Sequence, residues 1–137
     1  MTFHDFELLL HQTILPEVVR KLTVKSEEYA RGDKLSNFKR TGAARRKTPH
    51  QALLGMQDKH TVSIWDYVDD RDNGKFHPLS SWLEKITDRI AYDALLYALE
   101  VEEQYGNPPR IHCGNVQAEI MDKWREDRQK YYPQGEK

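Results

Sequence analysis

Ser81-Trp82-Leu83-Glu84-Lys85-Ile86-Thr87-Asp88-Arg89-Ile90-Ala91-Tyr92-Asp93-Ala94-Leu95-Leu96-Tyr97-Ala98-Leu99-Glu100 is the stretch that decides the fold. Leu83, Ile86, Ile90, Ala94, Leu95, Ala98 and Leu99 recur at helical spacing and predict one buried face, with Glu100, Glu102 and Glu103 turned outward. Ser81 followed by Glu84 has the pattern of a capping box. Gly106-Asn107-Pro108-Pro109 supplies a stop.

Working upstream, Thr48-Pro49 reads as an N-cap and first-turn pair. The helix it opens carries Leu53, Met56, Ile64, Trp65 and Val68 and runs into the Asp-rich, Gly-containing segment 69–74. The connection over 71–80 is short, which makes the two long helices antiparallel neighbours. Nearer the N-terminus, Phe6, Leu9, Leu10, Ile14, Val18, Leu22 and Tyr29 keep the same period. Pro16 interrupts it and is expected to start a second helix, because its ring clashes with a preceding turn. Residues 33–47 are the least regular, a short helix plus loop rich in Lys and Arg. Downstream, Asn115 caps a last helix to about Tyr131, with Val116, Ile120 and Trp124 along one stripe. Residues 59–62 and 111–113 are too short and lack the alternation of strands. The expectation is an all-α antiparallel helical bundle, one domain over 1–137, with 107–137 as a C-terminal helical extension.

Composition bounds the function. The 137 residues carry 21 Lys plus Arg against 22 acidic residues, a net charge of −1, without the basic excess of a general nucleic-acid binder. At 38% hydrophobic and 31% charged, the chain can bury one modest core. No apolar run approaches the roughly 18 residues of a membrane span. His4, Asp5 and Glu7 break the pattern of a signal peptide. The single cysteine, Cys113, excludes an internal disulfide and a cysteine-based zinc site. A soluble, cytoplasmic protein is expected.

Three groups of residues could carry chemistry. If the long helices pair about Phe76, Asp66 lies level with Ile86, between Glu84 and Asp88, and Lys59 lies level with Asp93. Gathered carboxylates repel unless a cation joins them, and a hard divalent cation takes oxygen ligands of this kind. The same acids also suit a solvated helix end. The second group, Lys25 to Phe38, mixes acids, an aromatic, an amide and a glycine turn. It suits a ligand pocket, or equally a helix end and polar turn with Tyr29 and Phe38 in the core. The third is Lys59-His60. Lys59 could pair with Asp93 or neutralise a phosphate, and His60 could be a general base, a ligand contact or a satisfied polar residue. Arg45-Arg46-Lys47 suits a solvated basic surface or, beside a metal cluster, a phosphate clamp.

Lys25-x-x-Glu28-Tyr29…Asp33-x-x-x-Asn37-Phe38, then Thr48-Pro49, then Lys59-His60-x-x-Ser63-x-x-Asp66, then Glu84-Lys85-x-x-Asp88-x-x-x-Tyr92-Asp93 resembles the small phage and bacterial MazG-like proteins. Within them it resembles the nucleotide modification associated domain group of the all-α nucleoside triphosphate pyrophosphatase superfamily. The resemblance covers about residues 18–103. It implies an Mg²⁺-dependent hydrolase (Mn²⁺ substituting) that converts a nucleoside or deoxynucleoside triphosphate to the monophosphate and pyrophosphate. It also implies a homo-oligomer, dimer or tetramer, located in the host cytoplasm if phage-encoded and serving altered nucleotide pools. Carried over residue by residue, Asp66, Glu84 and Asp88 are the metal ligands. In the mechanism this implies, the catalytic residues would be Glu28 or His60, orienting the water, and Lys59, offsetting phosphate charge. Tyr29, Asp33, Asn37, Phe38, Lys39, Arg45, Tyr92 and Asp93 contact the nucleotide. Aspartates stand where the first metal motif has glutamates, and Lys85 stands where the second has an acid. That lysine favours a rival reading, a nucleotide-binding module without chemistry. A third reading makes the last helix a docking element, anchored by Trp124, Tyr131 and Tyr132.

Overall fold

The computed structural model describes residues 1–23, 33–106 and 110–131. The helices are α1 (Phe3–Leu9), a π-helical turn (Leu10–Ile14), α2 (Leu15–Thr23), α3 (Ser36–Ala44), α4 (Pro49–Asp72), α5 (Leu79–Tyr105) and α6 (Arg110–Tyr131). The protein is all-α, with no strand among the described residues. None of the described helices is long and apolar enough to cross a membrane. The chain divides into two compact units, Met1–Leu99 and Glu100–Lys137.

Local chemistry explains the element ends. Pro16 does not open a separate helix: the helical backbone runs unbroken from α1 through the π-helical turn into α2, and Pro16, with no N–H to give, sits inside that run. The chain widens before it, and the Leu15 N–H reaches back five residues to the Leu10 carbonyl. Thr48 caps α4 in a reciprocal capping box with Gln51, and Pro49 follows at the first helical position. At the other end, Gly74 (φ 85°) donates to the Arg71 carbonyl and Lys75 to the Asp70 carbonyl, the paired bonds of a Schellman stop. The expected capping box at Ser81 does not form. Helix α5 begins at Leu79, and the N–H groups of Ser81 and Trp82 both bond the Pro78 carbonyl. The α4–α5 turn is braced by His77, whose Nε2 lies 2.7 Å from Asp70 Oδ2 and whose ring stacks on Tyr67 at 3.9 Å.

The core of the first unit joins Leu35 and Phe38, Leu53 of α4 and Leu99 of α5, with Met56, Tyr92, Leu95 and Leu96 packed against them. Helix α3 meets the backbone of the α3–α4 turn closely at Gly42. An added Cβ there would sit 2.8 Å from the Lys47 carbonyl oxygen, so no side chain fits. The apolar stripes differ in detail from the expected ones. Trp65 and Val68 are exposed rather than inward, as is Ala94, and Ile86 is 38% exposed. The buried line of α5 runs instead through Thr87, Ala91 and Leu99. Thr87 is tolerated there because its hydroxyl donates to the Leu83 carbonyl at 2.6 Å. In the second unit, α6 exposes Ile120, Met121, Trp124 and Tyr131.

Candidate functional site

The side chains with the most developed polar contacts gather where α2, α4 and α5 approach one another. Lys21 of α2 is only 6% exposed. Its Nζ donates to Asp88 Oδ1 at 2.7 Å and to the Glu84 carbonyl at 2.7 Å. A buried ammonium needs such partners, because an unpaired one would lose its hydration without return. The other Asp88 oxygen lies 3.7 Å from His60 Nδ1, longer than a hydrogen bond but close enough for electrostatic coupling. The His60 ring leans on Tyr92 at 4.9 Å, and Tyr92 meets Phe38 edge to face at 6.2 Å. One turn further along α5, the Gln57 amide donates to Asp93 Oδ1 at 2.6 Å.

Electrostatics poise this group. Burial holds the His60 imidazolium below its ordinary pKa; Asp88 opposes that shift, while Lys59, Lys21 and Lys85 add to it. Burial, aided by the Asp88 charge, raises the Tyr92 phenol. His60 is therefore neutral at pH 7, with a ring nitrogen able to accept a proton.

Among the residues singled out from sequence, His60, Asp88, Tyr92 and Phe38 come together. Glu28 and Tyr29 lie outside the described residues. Asp66 is exposed on the outer side of α4 and does not join Asp88, and the Glu84 side chain is exposed, that residue's part being its backbone carbonyl. No group of three or more His, Cys, Asp or Glu among the described residues is arranged to hold a metal. The described residues thus do not gather Asp66, Glu84 and Asp88 into one set, and Asp88 is paired with the Lys21 ammonium. Lys59 is exposed, and the partner found for Asp93 is Gln57, not Lys59. Asn37 is exposed, and Asp33 is bound to Lys39 at 2.8 Å. That bond, with the Leu35 N–H on the same carboxylate, holds the Asp33 pKa below the usual carboxylate range. Arg45 lines a separate cleft with Thr41, Lys47 and Gln51. Sequence reasoning missed Lys21, Gln57 and Thr87. Lys21 carried a usable signal, since it stands three residues after Val18 on the buried side of an amphipathic helix, where a lysine implies a partner.

Comparison with family models, with curated proteins and with solved structures finds no match to this chain.

Two measurements probe the group. Asp88→Leu should lower unfolding stability by about 2–4 kcal/mol, because it leaves the Lys21 ammonium buried alone; Lys21→Met, which leaves the partly exposed Asp88 carboxylate without its cation, should cost less, and the double variant should recover most of the larger loss. Urea denaturation of all four proteins reads the cycle; additive losses would mean that the pair is not coupled. The second concerns pH. As pH falls below about 6.5, the unfolded chain takes up a proton that folded His60 resists, so this group's contribution is intact above that value and is lost as pH falls through the lowered folded pKa. The stability of His60→Gln, followed from pH 7 to 5, should fall less steeply than that of the parent protein; parallel curves would remove His60 as the titrating group.

Proposed function

We propose that this chain is a MazG-like bundle that hydrolyses a nucleoside or deoxynucleoside triphosphate to the monophosphate and pyrophosphate. The observation that carries the reading is His60, half-buried between Asp88 and Tyr92, at the positions that the motif resemblance marks. In this reading His60 accepts a proton from water as the water oxygen bonds to the α-phosphorus. The bond from that phosphorus to the bridging oxygen breaks, and pyrophosphate leaves with the electron pair. Tyr92 and Phe38 give the site an aromatic wall. Mg²⁺ enters as part of the substrate, carried on its phosphates, which is a common mode for this ion and asks for no all-protein cage. Exposed Val62, Trp65 and Val68 on α4 support a homo-oligomer, since such a patch on a lone protomer would stay in water.

A second reading, a nucleotide binder without turnover, is favoured by one observation: Asp88, the acid central to the metal expectation, is already neutralised by Lys21. Incubation with Mg²⁺ and a panel of ribo- and deoxynucleoside triphosphates, resolved by chromatography, separates the two. Monophosphate plus pyrophosphate, lost in His60→Ala and on chelation of Mg²⁺, is the expected result. A nucleotide that raises the melting temperature and is recovered intact would instead establish the binder. Light scattering on the same sample should return a multiple of 16.2 kDa, and a monomer mass would end the oligomer claim.

A further inference from the structure

Charge is distributed very unevenly along this nearly neutral chain. From Lys34 to Gln57 there is no acidic residue, while six are Lys or Arg; the other 15 Lys and Arg share the chain with all 22 acids. The structure folds this segment into α3, its tight turn and the start of α4, around a cleft of about 230 Å³ lined by Thr41, Arg45, Lys47, Gln51, Gly55 and Met56, with Ala52. Arg45, Arg46 and Lys47 are exposed, and none has an ion-pair partner among the described residues. Arg46 adopts φ 54°, a left-handed conformation unusual for arginine, and the turn sets Arg45 and Lys47 on the cleft while Arg46 is not part of its lining.

Gly55 is the second unusual feature. A glycine inside a 24-residue helix weakens it relative to alanine. Packing does not demand one here, because an added Cβ would meet nothing within 4 Å. Its missing side chain leaves the cleft open. The volume is below the usual range for drug-sized ligands and suits a small anion. An arginine fork beside a lysine ammonium, with a hydroxyl and an amide, matches phosphate oxygens in number and kind.

We propose that this cleft binds the polyphosphate end of a phosphorylated ligand, with Arg45 and Lys47 as its cationic walls and Gly55 as its open floor. The choice of polyphosphate rests on the nucleotide reading; the charge and shape of the cleft do not. Helix α4's own N-terminal donors play little part, because Thr48 and Gln51 already bond there.

Calorimetry with inorganic tripolyphosphate, pyrophosphate and phosphate at fixed ionic strength tests this. Tripolyphosphate should bind tightest. Arg45→Ala and Lys47→Ala should each weaken it by about tenfold or more, whereas Arg46→Ala, equal in charge lost but outside the lining, should change it less than about threefold. Gly55→Leu should abolish binding with the charge unchanged, and circular dichroism checks that each variant remains helical. Equal losses at 45, 46 and 47 would mean a diffuse basic surface and overturn the cleft, as would unaltered binding by Gly55→Leu. A single-stranded oligonucleotide that outcompetes tripolyphosphate would reassign the surface to nucleic acid. Tripolyphosphate binding retained in a protein with no triphosphate turnover rejects the hydrolase reading and keeps the cleft. Turnover unaffected by Arg45→Ala and Lys47→Ala rejects the cleft alone.

Discussion

The ion pair between Lys21 and Asp88 constrains this fold more than any other polar contact among the described residues. Its lysine is almost wholly removed from water, so the ammonium must keep both its carboxylate and the Glu84 carbonyl. Losing either partner would strand a charge in a poorly solvating place. The contact joins two segments 67 residues apart in sequence and thereby ties α2 to the middle of α5. It also decides what Asp88 can offer. One oxygen is committed to Lys21, and the other is left facing His60 at 3.7 Å. A carboxylate so placed would favour the protonated imidazole, yet burial and three nearby lysines outweigh it and leave the ring neutral. The chemistry available at this junction follows from that balance.

Much of the scaffold could be read from sequence because its signals are local. The capping box at Thr48 and the stop at Gly74 each depend on residues within one or two turns; the helix start expected at Pro16 does not occur, because the π-helical turn before it carries the helical backbone through. The antiparallel pairing of α4 and α5 was also legible. Pairing about Phe76 puts His60 level with Tyr92 and Tyr67 level with Lys85, and both pairs are in contact. Height along a helix pair, however, is only one coordinate. Rotation about the axis is the other, and it separates Asp66 from its expected partners. Gln57, His60 and Tyr67 form the line that meets α5, and Asp66, one residue before Tyr67, is turned about 100° away from it.

The same rotational uncertainty accounts for Thr87 and Lys21. A hydrophobic-period argument assigns the buried face to apolar residues and passes over polar ones that bring their own hydrogen bonds. Thr87 is fully buried because its hydroxyl returns to the backbone of its own helix, while Ile86 beside it is partly exposed. Lys21 is buried because its partner arrives from a distant segment: its place three residues after Val18 implies a partner, but no local pattern says which. Both errors favour the same bias: sequence periodicity finds the core's width but places its edge about one residue off wherever a polar side chain is internally satisfied.

Two positions, one in the α3–α4 turn and one inside α4, run against local stability. Arg46 occupies a backbone conformation that suits glycine, and Gly55 occupies a helix interior that suits almost anything else. Exchanged between them, the two residue types would each sit more comfortably. Gly42 shows what a glycine imposed by packing looks like in this chain: the Lys47 carbonyl leaves its Cα no room for a side chain. No such neighbour crowds Gly55, and nothing in the turn bonds the Arg46 side chain among the described residues. Local preference set aside without a packing gain is what functional sites commonly display. Here the two departures flank one concave, uncompensated positive surface, and that coincidence, more than either residue alone, gives the basic segment its significance.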